Sequence, residues 1–194
     1  MRTESQEIIY CDHSATTPVD PLVTQEMTRV HRDLWGNASS VHQVGRDAKV
    51  ELELARETVA NSIGAARNEI LFTSGGTESD NFALRGIAHA LSHKGKHLIT
   101  SKVEHHAVLH TCEALEKEGF DITYLEVDEF GTVQPDVLES AFKDETILVS
   151  VMHANNEIGT INPITELAQV AHEHDAVFHT DAVQTLGKLR IDVE

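Results

Sequence analysis

Short apolar runs alternate with amphipathic ones along most of this chain. "EILFTS", "HLITS", "DITYLEV", "TILVSVM" and "AVFHTDA" are rich in β-branched or aromatic residues, end at turn formers, and read as five strands. The stretches between them repeat apolar positions at helical spacing: "TESDNFALRGIAHALS", "HAVLHTCEALEKEG" ending at Gly119, the short "QPDVLESAF", and "PITELAQVAHEH". Ahead of the first strand, "VDPLVTQEMTRVHRDLW", its acidic start flanked by Pro18 and Pro21, reads as an amphipathic helix. "GNASSVHQVGR" reads as a loop, and "DAKVELELARETVANSIG" as a helix closed by Gly64.

Strands separated by helices indicate βαβ units, so the predicted fold is α/β with a mostly parallel, doubly wound sheet. Ligands of such sheets collect beyond the carboxyl ends of the strands. Polar clusters fall at those ends here: "SGGTES", "SKVEHH", "HANNEIG" and "TDAVQ".

Composition narrows the classes. The 194 residues are 40% hydrophobic and no apolar run reaches membrane-spanning length, which fits a globular protein without a membrane segment. The start lacks the basic and apolar regions of a secretory signal, and two cysteines make no disulfide framework, so a reducing cytoplasm is expected. A formal charge of −17 without a basic stripe argues against nucleic acid as a partner.

Four clusters carry candidate chemistry. In "FTSGGTESDN" a strand turns through Gly75 and Gly76 into a helix opening with Thr77. Free amides and the positive end of the helix dipole favour an anion such as phosphate, although a Ser or Thr cap explains the same residues. Asp181 closes the last strand; it serves either as a cap or salt-bridge partner, or as the counter-charge of a cationic ligand nitrogen, with Gln184 presenting its amide nearby. Asn155, Asn156 and Glu157 form either an Asx-rich turn or a set of amide donors and acceptors. His105 stands at the mouth of the crevice, where an imidazole can stack on a ring or move a proton. The other histidines, including His89, His93 and His97 at four-residue steps, lack the partners of a zinc site; no metal is expected.

Taken together, "YCDHSATTPVDP", "GNASSVHQVGR", "FTSGGTESDN", "KVEHHAVLHTCEALEKEGFDITYLEVDEFGTV", "MHANNEIGTINPI" and "HTDAVQTLGKLRIDV" resemble successive signatures of the cysteine desulfurases. These enzymes depend on pyridoxal 5′-phosphate (PLP) and share the class V aminotransferase fold. "NNEIG" is most similar to the iron–sulfur-cluster and nitrogen-fixation branch. The resemblance implies a PLP fold type I large domain over residues 21–194, preceded by a 1–20 segment belonging to the small-domain region. It implies that Gly76 and Thr77 hold the cofactor phosphate, that His105 stacks on the pyridine ring and acts as the catalytic histidine, that Asn156 and Gln184 bond the phenolic oxygen, and that Asp181 pairs with the ring nitrogen.

The resemblance also implies what this sequence lacks. The family's lysine that holds PLP, its sulfur-receiving cysteine and its substrate-binding arginine fall beyond residue 194, and neither Cys11 nor Cys112 matches that cysteine position. The sheet is expected to stop before its last strands, leaving "EILFTS" without a neighbour to place the phosphate loop against Asp181. The expected function is removal of sulfur from L-cysteine, giving alanine and a persulfide for iron–sulfur or thio-cofactor assembly. The alternative is a non-catalytic scaffold from a split desulfurase. Implied partners are L-cysteine, a sulfur-acceptor protein, a second copy in a homodimer, and a complementary chain carrying the missing half.

Overall fold

A computed structural model describes residues 9–193. They form two compact units: residues 9–71 with 190–193, and Phe72–Leu189.

The first unit is helical. Helix α1 (Pro21–Asp33) begins where proline fixes the first-turn φ and the Asp20 carboxylate accepts from the Leu22 N–H at 2.7 Å. Helix α2 (Gln43–Ser62) starts inside the loop predicted over "GNASSVHQVGR", because the His42 ring accepts from the Gly45 N–H and caps it. Gly45 is required there: a Cβ would lie 2.6 Å from the carbonyl oxygens of Asn37 and Ser40. Gly64, at φ +74°, closes α2 as predicted. A 3₁₀ turn, Arg67–Glu69, follows.

The second unit is a four-stranded parallel sheet. Strands β1 (His97–Ser101), β2 (Asp121–Leu125), β3 (Thr146–Ser150) and β4 (Val177–His179) lie in the order β2-β1-β3-β4. Helix α3 (Gly76–Leu91) precedes β1, and helices α4 (His106–Lys117), α5 (Pro135–Glu139) and α6 (Ile164–Glu173) connect successive strands. Successive strand residues point to opposite faces. Leu98 and Leu148 therefore join Leu84 of α3 with Val108 and Leu115 of α4, while Ile99 and Val149 join Leu138 of α5 and Leu167 of α6. Two cores, one per face, give the doubly wound arrangement predicted.

One predicted strand does not form among the described residues. Residues 70–74 lie in no strand ladder among the described residues, and Leu71 and Phe72 are exposed. A strand exists only through its ladder, so apolar pattern alone does not make one. The last predicted strand shortens to three residues, which puts Asp181 two residues past β4. His97, the first residue of the predicted strand "HLITS", is buried in β1 between the Thr146 and Thr123 hydroxyls at 2.7 and 2.8 Å.

Candidate active site

The chain runs from β1 to β2 on one side and then crosses to β3 on the other, so the carboxyl ends of β1 and β3 bound the crevice. Glu104 sits at this switch point. The Ser101 hydroxyl donates to it at 2.6 Å, and the Met152 N–H donates at 3.0 Å to both carboxylate oxygens. One side chain thus ties the two strand ends together.

That tie sets His105. It is the N-cap of α4, and its Nδ1 accepts from the Ala107 N–H at 3.1 Å. With Nδ1 accepting, Nε2 is the ring nitrogen that carries a proton. The ring is exposed and borders a groove of about 280 Å³ shared with Thr77, Asn81, His106 and His110.

At the start of α3 no side chain caps the helix. Ser74 gives both its N–H and hydroxyl to Glu78 at 2.6 Å, which holds that carboxylate below its usual range, so Glu78 folds back onto Ser74. Helix geometry leaves the Gly76 and Thr77 N–H groups without intrahelical acceptors, and the Ser or Thr cap allowed by the sequence does not form. Gly76 also permits a close approach, since a Cβ there would meet Val183 at 2.8 Å. This contact brings the glycine loop against the segment following Asp181. The expectation that the loop would lack a neighbour to place it against Asp181 is therefore corrected: packing of α3 on α4 and β3 does so without a strand at 70–74.

Asp181 is half-buried. Its carbonyl accepts from the His153 N–H at 2.9 Å, and its Oδ1 accepts from the Val183 N–H at 2.9 Å. The turn-capping reading is thus true of one oxygen, while no Lys or Arg pairs with the carboxylate among the described residues. Asp80, Asp181 and His105 each bring a ligand atom within 4.8 Å of one another. Asn156, half-buried, donates to the Glu157 carboxylate at 3.1 Å. Its neighbour Asn155 is the structural member of the pair: it donates to the Val103 carbonyl and accepts from the Glu157 and Ile158 N–H groups. Gln184 lies half-buried in the turn after Asp181. The Thr185 hydroxyl bonds the His153 ring at 2.9 Å, anchoring that turn to the end of β3.

An Aminotransferase class-V model matches residues 9–194. The chain belongs to the class-V aminotransferase family. This class-V chain is 56% identical over 186 residues to the cysteine desulfurase IscS of Dictyoglomus turgidum, covering 96% of this chain and 47% of that protein. Among solved structures, a NifS-like protein superposes with a TM-score of 0.91 at 40% identity, over 94% of this chain and 51% of that one. A structure described as SspA in complex with cysteine gives 0.91 at 42%, over 95% and 53%. The chain spans about half the length of the relatives it matches.

Sequence reasoning missed the buried polar layer beneath this class-V site. Asp80, 4% exposed, faces Asp181, and burial followed by the Asp181 charge pushes its carboxyl up to about 7. Burial likewise pushes Glu104 up to about 8, against the hydrogen bonds that lower it. His179 is held near 4 by burial; its Nε2 lies 3.7 Å from Asp80 and its Nδ1 2.9 Å from the Ser150 hydroxyl. A signal existed: Asp80, Leu84 and Ala88 recur every four residues, so an acid heads a buried stripe. Cys112 is buried and its thiol is pushed up to about 12, which removes it as a nucleophile.

Proposed function

We propose that this chain is the cofactor-holding half of a PLP-dependent cysteine desulfurase. The observation that carries the reading is the meeting, in one unit, of a helix start without a side-chain cap and two carboxyl groups that have no Lys or Arg partner among the described residues, Asp80 and Asp181, beside an exposed imidazole. An anion at one end and a cation at the other fit this layout, which suits a pyridoxal phosphate. The buried Thr180 hydroxyl, next to Asp181 and without a partner among the described residues, supports a site shaped for a ligand.

The Gly76 and Thr77 N–H groups would bind the phosphate. Asp181 would hold the ring nitrogen protonated through the oxygen that its turn leaves open. His105, its Nε2–H directed by the α4 cap, would stack on the ring and move a proton at that nitrogen. Asn156 and Gln184 would donate to the phenolic oxygen once Asn156 leaves Glu157. Bound there, PLP supplies an electron sink at the substrate's α-carbon.

In the proposed overall reaction L-cysteine and a protein thiol give alanine and a protein persulfide, destined for iron–sulfur or thio-cofactor assembly. The substrate reading is supported by the cysteine desulfurase relatives and by the cysteine held in the SspA structure. No lysine lies among these site residues, and Lys102, just before His105 in sequence, pairs with Glu126. The covalent anchor, the reactive thiol and a dimer partner are accordingly proposed to come from outside these residues. Asp181→Asn tests the reading with 4′-deoxypyridoxine 5′-phosphate, which has no aldehyde to react with surface lysines. By equilibrium dialysis its affinity is expected to fall about 10-fold or more, the loss of one charge-assisted bond. An unchanged affinity excludes Asp181 as the ring partner.

A further inference from the structure

We propose that Asp80 and Asp181 share one proton in the cofactor-free chain, with Asp80 its holder, and that this proton leaves when a pyridinium cation binds Asp181. The second half rests on the ring-nitrogen reading above; the first half does not.

The geometry supplies the reason. Asp80 lies on the first turns of α3, 4% exposed, and its carboxylate comes within 4.8 Å of the Asp181 carboxylate. Two carboxylates at that range do not both ionise readily in a buried setting. Asp181 has the Val183 N–H and partial access to water, so it keeps the charge. Asp80 accepts no hydrogen bond from an N–H among the described residues, His179 Nε2 lying at 3.7 Å, and has no Lys or Arg partner among them. The groups facing it leave the assignment intact. From the segment after β4 come Asp181 and His179, the latter too buried to charge near neutral pH. From the start of α4 comes His105, whose Nδ1 accepts from the Ala107 N–H, and from the β1–α4 turn the buried Glu104, which burial pushes up to about 8.

A cation seated on Asp181 reverses this balance. It favours the ionised form of its neighbour, so the Asp80 O–H bond breaks and the proton passes to solvent. The pair moves from one negative charge to two, and the site retains the ring more tightly. Asp80 thus acts as a positioning residue that sets the charge of Asp181's surroundings.

The test uses the 194-residue chain, its Asp80→Asn and Asp181→Asn variants, and 4′-deoxypyridoxine 5′-phosphate. Without ligand, the wild-type thermal midpoint should fall relative to Asp80→Asn by about 3 °C per pH unit as pH rises from 5 to 7. Parallel profiles overturn proton sharing. With ligand, the wild-type to Asp80→Asn affinity ratio should start near one at low pH. It should then climb by up to about tenfold per pH unit, levelling near pH 7. A flat ratio overturns proton release on binding. The ligand's own titration is common to both chains and cancels. If Asp181→Asn binds like wild type, or no chain binds, the ring-nitrogen reading and the release step fail together. The thermal profiles then decide proton sharing by themselves.

Discussion

The two units of this chain solve the burial problem differently. In the sheet unit, Leu84, Ile99, Leu138, Leu148 and Leu167 are fully removed from water between strands and helices. In the helical unit, α1 buries no residue and α2 only Gly45 and Ala60, while Leu22, Met27, Val50 and Leu54 stay exposed. Helices of similar amphipathic pattern thus end in opposite states. The difference lies in what packs on them: a parallel sheet offers two apolar faces, whereas an isolated helix face has none.

Three measurements sharpen or break that contrast. Leu148→Ala is expected to cost about 2–5 kcal/mol, because a buried leucine leaves a cavity between packed layers. Leu54→Ala is expected to stay within about 0.5 kcal/mol. Urea unfolding of both variants reads the difference, and equal costs would show that the helical unit has a core of its own.

The second measurement is the pH dependence of unfolding. Glu104 is raised from 4.5 to about 8 in the folded sheet unit, so the stability its neutral form contributes is complete below about pH 4.5 and is lost as pH rises towards 8. The slope is on the order of 1 kcal/mol per pH unit, and Glu104→Gln should flatten it. The helical unit has the opposite sign: Glu26 and Asp33 are lowered by hydrogen bonds from Arg29 and Arg32, so what they contribute is lost only on acidification. A wild-type stability that rises between pH 6 and 8 would contradict the buried-acid account.

The smallest effect belongs to the first helix. Asp20→Ala removes the α1 cap and should cost about 1 kcal/mol of that helix. Circular dichroism is expected to register a local loss of helicity with the sheet transition unmoved.

The pattern of apolar and polar positions made the fold class legible, since alternating βαβ units leave few arrangements other than a parallel doubly wound sheet. It failed at 70–74 because a strand is a pairing, and pairing partners are not written into the run itself. His97 shows the same limit in milder form: the strand "HLITS" was legible, but not the two threonines from other strands that satisfy its ring.

The site divides in the same way. Gly76, Thr77, His105, Asn156, Asp181 and Gln184 could be named from strand-end clustering and resemblance, because residue type and place in a βαβ unit already limit their chemistry. Their electrostatics could not. Asp80 reads as one more polar helix residue until the fold sets it 4% exposed against Asp181, and Glu104 reads as a loop acid until Met152, 48 residues on, donates to it. A carboxyl's ionisation depends on water and charge within a few ångströms, and that surrounding is assembled only when distant segments pack. Residue chemistry was thus set by the sequence alone; which acid holds the proton was decided by tertiary structure.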